Sequence, residues 1–163
     1  MISDYRLIES AKSGYWLSPE LNIITDLNLF DELLGWLHLT VDDDARRQLL
    51  KKAVELYKSG PVEIYSRELW FLPTVAHYSL HYAGAVNQLM EMLDQSGEYI
   101  SILEYSNSAR KNLPENPDVL YWLVQAMKKL GMGEMARNEL RAAMGRLTEE
   151  DYEDLVKRLN NQQ

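Results

Sequence analysis

The chain has 163 residues, is 46% apolar, lacks cysteine and carries a formal charge of −8 with an isoelectric point near 4.9. That length holds one domain with a real core, and the missing cysteines exclude disulfides, thiolate catalysis and thiolate-held metal. No run reaches the ~18 apolar residues of a membrane span and no leader is visible, so a cytoplasmic protein without membrane contact is expected; its acidic balance disfavours duplex DNA as a direct ligand.

At the N-terminus Tyr5, Leu7 and Glu9 alternate with Arg6, Ile8 and Ser10. Ala11-Lys12-Ser13-Gly14 reads as a turn and Tyr15-Trp16-Leu17 as a returning strand, which together predict a small β-hairpin. Ser18-Pro19 ends it, because a residue before proline avoids the helical region. Residues 21–24 read as a further extended piece. A lone hairpin is marginal in water, so this arm is expected to pack on something or to pair with another strand.

Leu27, Phe30, Leu33, Leu34 and Leu37 fall at three-and-four spacing and predict a first helix over Asp26–Leu39, capped by Thr25 or Asp26. Asp42-Asp43-Asp44 opens a second helix that reaches residue 59, with Leu49, Ala53, Leu56 and Tyr57 as its apolar face. Acids there suit the helix dipole and supply a cap. A calcium loop would need alternate spacing, a central glycine and a closing glutamate, none of which follows. Gly60-Pro61 stops the helix. Residues 62–73 form an irregular connection, and Trp70, Phe71 and Leu72 are expected to be buried as a plug before the third helix.

A long third helix, residues 74–96, carries Val75, Tyr78, Tyr82, Val86, Leu89 and Leu93 on one face. Gly84 lies inside it at a cost of ~1 kcal/mol relative to alanine, which predicts close approach of a neighbouring backbone. Helices follow at 100–113, at 117–130 with Asn116 as cap and Pro117 in its first turn, and at residues ending near 145. Thr148 with Asp151 resembles a capping box and starts a short closing helix with Tyr152, Leu155, Val156 and Leu159 on its apolar face.

Between residues 83 and 148 the sequence states nearly the same thing twice. Gly97 and Gly131 lie 34 residues apart, and the offset lays Val86 on Leu120, Leu89 on Leu123, Leu93 on Met127 and Ala109 on Ala143. A 34-residue period with glycine between two amphipathic halves marks a helix-turn-helix solenoid of the tetratricopeptide type, whose units must stack to bury their apolar faces. The expected fold is therefore all-α: a tetratricopeptide-like right-handed helical solenoid of about seven helices, with a small N-terminal β-hairpin.

No chemical constellation stands out. His77 and His81 are four apart on one helix, but Tyr78 stands where a zinc protease needs glutamate, and no third ligand is indicated. His38 reads as an isolated structural residue. There is no GxSxG, P-loop or GxGxxG, so no catalytic, cofactor-binding or metal-binding residue is expected and the chain is not read as an enzyme. In a superhelical stack one side of each first helix lines a groove. By spacing from the glycines, Asn87, Glu91 and Asp94 fall there in one copy, and Tyr121, Gln125 and Lys128 in the next. Such a polar and aromatic surface suits a peptide or protein, and an ordinary solvated face accounts for the same residues.

These features together resemble the bacterial transcriptional activator domain, the tetratricopeptide-like module of winged-helix regulators of the antibiotic regulatory protein type. Carrying the resemblance are residues 49–60 ending Leu56-Tyr57-Lys58-Ser59-Gly60, the Trp70 loop, the run from His77 to Tyr82, the Gly97-Glu98-Tyr99 turn, Asn116-Pro117-Asp118, the run from Leu120 to Leu123 and the Gly131 turn. In such regulators a winged-helix DNA-binding domain precedes the module, and residues 5–15 look like its wing. The resemblance implies that residues 1–25 are a hairpin arm left by a winged helix whose DNA-reading helix is missing from this chain, and that residues 26–163 are the module. It implies a non-catalytic role through protein partners, by self-association or contact with another regulator domain or effector protein, and DNA contact only through a preceding winged helix. A stand-alone tetratricopeptide adaptor and an enzyme with an unrecognised site are the alternatives. Glu91 and Asp94 argue against a carboxylate ligand in the groove they line.

Overall fold

The computed structural model describes residues 8–19, 21, 24–60 and 68–161. The expected alternation at Tyr5 and Leu7, the extended piece through residues 22–23, the connection at 62–67 and the tail at 162–163 lie outside the described residues. What is described forms one hairpin, β1 (Ile8–Ala11) and β2 (Gly14–Leu17), and seven helices: α1 (Asp26–Leu39), α2 (Asp43–Tyr57), α3 (Leu72–Gln95), α4 (Tyr99–Ala109), α5 (Pro117–Lys129), α6 (Gly133–Ala143) and α7 (Glu149–Asn160). The all-α expectation holds beyond the hairpin.

The hairpin pairs antiparallel, with Ile8 opposite Leu17 and Ala11 opposite Gly14 across a Lys12–Ser13 turn. Gly14, at φ +140°, leaves that turn in a conformation few other residues adopt. Ile8, Tyr15, Trp16 and Leu17 of the arm are all exposed.

Side-chain oxygens close most of the helix starts, as the sequence implies. Thr25 and Asn28 cap each other reciprocally at α1. Asp42 accepts from the Ala45 amide at 2.7 Å, and Asn116 from the Val119 amide at 3.0 Å. At α7 only half of the box forms. Thr148 accepts from the Asp151 amide, but the Asp151 carboxylate returns to the Thr148 hydroxyl rather than to the backbone.

The two bends at Gly97 and Gly131 are copies of each other. At the first, the Gly97 amide donates to Asp94 (2.9 Å) and the Glu98 amide to Leu93 (2.9 Å). At the second, Gly131 donates to Lys128 (3.1 Å) and Met132 to Met127 (2.8 Å). Both glycines are left-handed, at φ +70° and +75°, the geometry of a Schellman ending.

Each helix from α1 to α6 packs on the next, and α3 also reaches α5. α7 packs on α5, as α5 does on α3. As a result α5 is surrounded by α3, α4, α6 and α7, and every residue from Val119 to Met127 is at most 7% exposed. Toward the N-terminus, the rings of Phe30, Tyr57, Tyr78 and Tyr82 lie 4.9–6.3 Å from their neighbours and knit α1, α2 and α3 together.

Three expectations about burial need correction. On α2 the fully buried residues are Leu50, Ala53 and Val54, with Tyr57 beside them, while Leu49 and Leu56 are only half-buried. Ala53 and Tyr57 are buried as expected, and contact with α1 and α3 brings Leu50 and Val54 in beside them ahead of Leu49 and Leu56. Trp70 and Leu72 are not a buried plug, being 69% and 43% exposed. α3 starts two residues early, with Phe71 as its cap residue and Pro73 in its first turn, where proline's missing amide costs nothing. Those side chains therefore ride on the helix start. Gly84 is exposed, and a Cβ there would meet nothing within 4 Å, so among the described residues no neighbouring backbone makes the expected close approach.

Polar ties join successive pairs. Arg47 of α2 bonds Glu98 at 2.7 Å and Ser96 at 2.6 Å, and Asn112 donates to the carbonyls of Tyr57 and Lys58. Glu139 of α6 is gripped by Arg110 (2.8 Å) and Arg146 (2.6 Å). Burial alone would raise the Glu139 carboxyl, but the hydrogen bonds from Arg146 and Arg110 outweigh it and hold it below the usual carboxylate value. A folded value below the unfolded one gives stability that is complete above about pH 4.3 and is lost as pH falls through the folded value.

Glu139→Gln is expected to cost about 1.5–3 kcal/mol at neutral pH and to flatten the loss of stability at acid pH. Urea titrations at several pH values check this, and equal acid slopes for both proteins would contradict it. Leu123, fully buried on α5, should cost about 2–5 kcal/mol when cut to alanine; a negligible change in the denaturation midpoint would count against its central position.

Candidate functional site

The six residues expected to line a groove separate into two situations. On α3, Asn87 is half-buried and bridges to α5: its side-chain oxygen accepts from the Trp122 indole at 2.7 Å, and its amide donates to Glu91 at 2.8 Å. Glu91 is exposed and Asp94 half-buried beside it. On α5, Tyr121 and Gln125 are buried, each 3% exposed. What covers that side is α7.

The reason lies in α7 itself. Leu155 and Leu159 form an apolar stripe that has to be buried, and the face of α5 offers the apolar partner. Arg158 then lies 4.3 Å above the Tyr121 ring and bonds Asp118 at 2.6 Å, while the Lys128 ammonium donates to the Leu159 carbonyl at 3.2 Å, near the negative end of α7. Burial pushes the Tyr121 phenol up; the Arg158 cation opposes this and the Asp94 charge adds to it. On the α5 side Tyr121 lies under Arg158 and Lys128 bonds the Leu159 carbonyl, so these two hold a helix of the same chain, while Gln125 is buried.

An open concavity lies elsewhere, between α1 and α3. It measures about 420 Å³ and is lined by Asp31, Leu34, Gly35, Leu37 and His38 of α1, by Leu80, His81, Gly84, Ala85 and Gln88 of α3, and by Arg46. Leu34, Leu37, Leu80 and Ala85 supply apolar walls. Asp31 accepts the Tyr78 hydroxyl at 2.6 Å, which, with burial, pushes the Tyr78 phenol up to about 12. Arg46 Nη1 donates to the carbonyls of Leu37 (3.0 Å) and Thr40 (3.3 Å), which fixes the guanidinium at the end of α1. His38, expected as a structural residue, is exposed on this rim.

Sequence reasoning missed the cleft. The available signal was the pair Gly35 and Gly84, each inside a helix, but nothing in the chain order says that they face one space.

His77 and His81 are exposed with ring centroids 4.4 Å apart. Among the described residues no three His, Asp or Glu side chains converge as metal ligands, and no helix is long and apolar enough to cross a membrane. The fold and cleft define an all-helical protein of consecutively packed helices with an open groove near its N-terminal end. Comparison with protein-family models, curated proteins and solved structures returned no match.

Leu155→Ala should loosen α7 from α5 and let the Tyr121 phenol titrate closer to about 10, its ordinary value, because burial, the larger influence, is relieved along with the Arg158 cation. Tyrosine-resolved NMR titration measures this; an unchanged Tyr121 together with a lowered melting point would show that α7 does not set its environment.

Proposed function

We propose that this chain is a non-catalytic interaction module of a bacterial transcriptional regulator, a tetratricopeptide-like solenoid of the bacterial transcriptional activator type that works by gripping protein. The observation that carries the reading is the repeated bend. Gly97 and Gly131, 34 residues apart, end their helices with the same pair of backbone hydrogen bonds. That identity of geometry is what tandem helix pairs of one kind need in order to stack. The packing of consecutive helices supports it too.

In this reading the scaffold supplies surface, and regulation comes from whatever docks on it or from a second copy. DNA is reached through a winged-helix domain joined to the module. The two-stranded arm, with Tyr15, Trp16 and Leu17 exposed, agrees with a strand pair that packs against such a domain. The α1–α3 cleft favours one second reading, a stand-alone adaptor for a peptide.

A reporter assay separates them. The full chain is fused to a heterologous DNA-binding domain that occupies its operator weakly as a monomer. A regulatory module that self-associates or recruits a regulator raises occupancy or output by about tenfold or more, the scale of an avidity gain. Output equal to the DNA-binding domain alone would remove the regulatory reading and leave the adaptor.

The chain alone should show no salt-sensitive binding to duplex DNA at physiological ionic strength, because a net charge of −8 repels the phosphate backbone. A tight gel shift that weakens with salt would refute this.

A further inference from the structure

Histidine is scarce in this chain, at three residues, and two of them share one face of α3. His77 and His81 are four apart, the spacing that brings side chains together on a helix surface. Both are exposed, and their ring centroids lie 4.4 Å apart with the planes at 64°. Stacked rings would be near parallel. This pair meets edge to face, and the nitrogens of an imidazole lie on its edge.

That separation has a meaning for a metal ion. An imidazole nitrogen binds a first-row divalent metal at about 2.0–2.1 Å. Two such rings on one ion hold their centres about 4.5 Å apart when they meet at a right angle, and about 5 Å apart at a tetrahedral angle. The observed 4.4 Å lies beside the right-angled value. Right angles belong to tetragonal coordination by nitrogen and oxygen, the geometry of copper(II) and nickel(II).

The surroundings suit a cation. The Tyr78 ring meets the His77 ring edge-on at 5.1 Å, and Asp31 of α1 holds the Tyr78 hydroxyl at 2.6 Å. A wall tied to a second helix therefore backs His77, which lowers the side-chain freedom still to be lost on binding. The chain carries a net charge of −8, and the Asp31 carboxylate stands behind Tyr78. Arg46, the cation of the neighbouring cleft, bonds the carbonyls of Leu37 and Thr40. Leu37 lies about 9 Å along α1 from Asp31 at the helical rise.

We propose that His77 and His81 form a surface site for one late first-row divalent ion, copper(II) or nickel(II) ahead of zinc(II), with water in the remaining positions. Among the described residues no third His, Asp or Glu converges on the pair, and an open tetragonal ion held by two adjacent imidazoles needs none from the chain. His81 also lines the α1–α3 cleft, so the ion stands at the rim of that cleft. Nothing in this site depends on the regulatory reading.

The test uses the untagged full chain, titrated with copper(II), nickel(II), zinc(II) or magnesium in a non-coordinating buffer and followed by calorimetry and by the thermal midpoint. One ion per chain is expected, with copper bound most tightly and magnesium giving no shift. The midpoint should climb with the logarithm of the copper or nickel concentration, because the folded helix is what sets the pair. His77→Gln and His81→Gln should each weaken binding at least about tenfold, since the second ligand then no longer acts within one molecule. His38→Gln, which alters the remaining histidine, should change nothing. Electron paramagnetic resonance of the copper form should show two nitrogen ligands, and one in either variant.

Affinity that survives His77→Gln or His81→Gln, an equal loss in His38→Gln, a copper signal without two nitrogens, or a magnesium shift as large as that of nickel overturns the proposal. One ion shared by two chains, seen as a metal-dependent dimer in light scattering, also overturns it, because protein rather than water would then complete the site.

Discussion

A helix that is apolar on every side has to be surrounded, and α5 is such a helix. Nine consecutive residues, Val119 to Met127, are withdrawn from water, including Trp122 and the polar Gln125. One neighbour cannot do that. α6 covers it as its partner across the Gly131 bend, α3 and α4 from the preceding pair, and α7 from the C-terminal side. The packing of α7 completes this cover, with Arg158 lying over the Tyr121 ring. Each fully buried large apolar side chain contributes on the order of 1.5–3 kcal/mol, far more than the exposed Arg158–Asp118 pair that trims the edge of this contact.

Around that centre, polar groups fix how the pairs are registered. Asn112, just past α4, satisfies two carbonyls at the end of α2. Gly60 makes this possible: it turns the chain at φ +68°, and a Cβ there would sit 3.0 Å from the Asn112 side-chain oxygen. Arg47 ties α2 to the bend before α4, and Glu139 draws Arg110 and Arg146 onto α6. These ties are half-buried, where a charged hydrogen bond is shielded from water without the full penalty of desolvation. They set position more than they add stability.

The surface left for a partner is decided by the same economy of faces. Where two consecutive first helices of pairs could have formed a groove, α7 fills one side, and Trp122 and Asn87 close the seam between α3 and α5. The α1–α3 interface is different. Its helices meet at the Phe30–Tyr78 ring contact and leave an open cleft whose lining includes Gly35 and Gly84.

Much of the local structure was legible in the sequence. α1 has the expected bounds, the caps at Thr25, Asp42 and Asn116 follow from residue type, and the glycine bends follow from the 34-residue offset. Such features depend on a few neighbouring residues and on backbone geometry, which chain order contains directly. What failed depended on who packs against whom. Leu49 and Leu50 are equally apolar, and only the positions of α1 and α3 choose between them; Trp70 and Leu72 have plug-like side chains, yet stay on a helix start. Tyr121 and Gln125 have groove-like spacing, and only the tertiary packing shows them buried, while Lys128 stays exposed beside α7. By itself, then, the sequence determined helices, caps and the repeated bend. Tertiary structure alone decided which faces are shared and which cleft stays open, because burial is a contest among all faces of the chain and spacing along one helix records only its own entry.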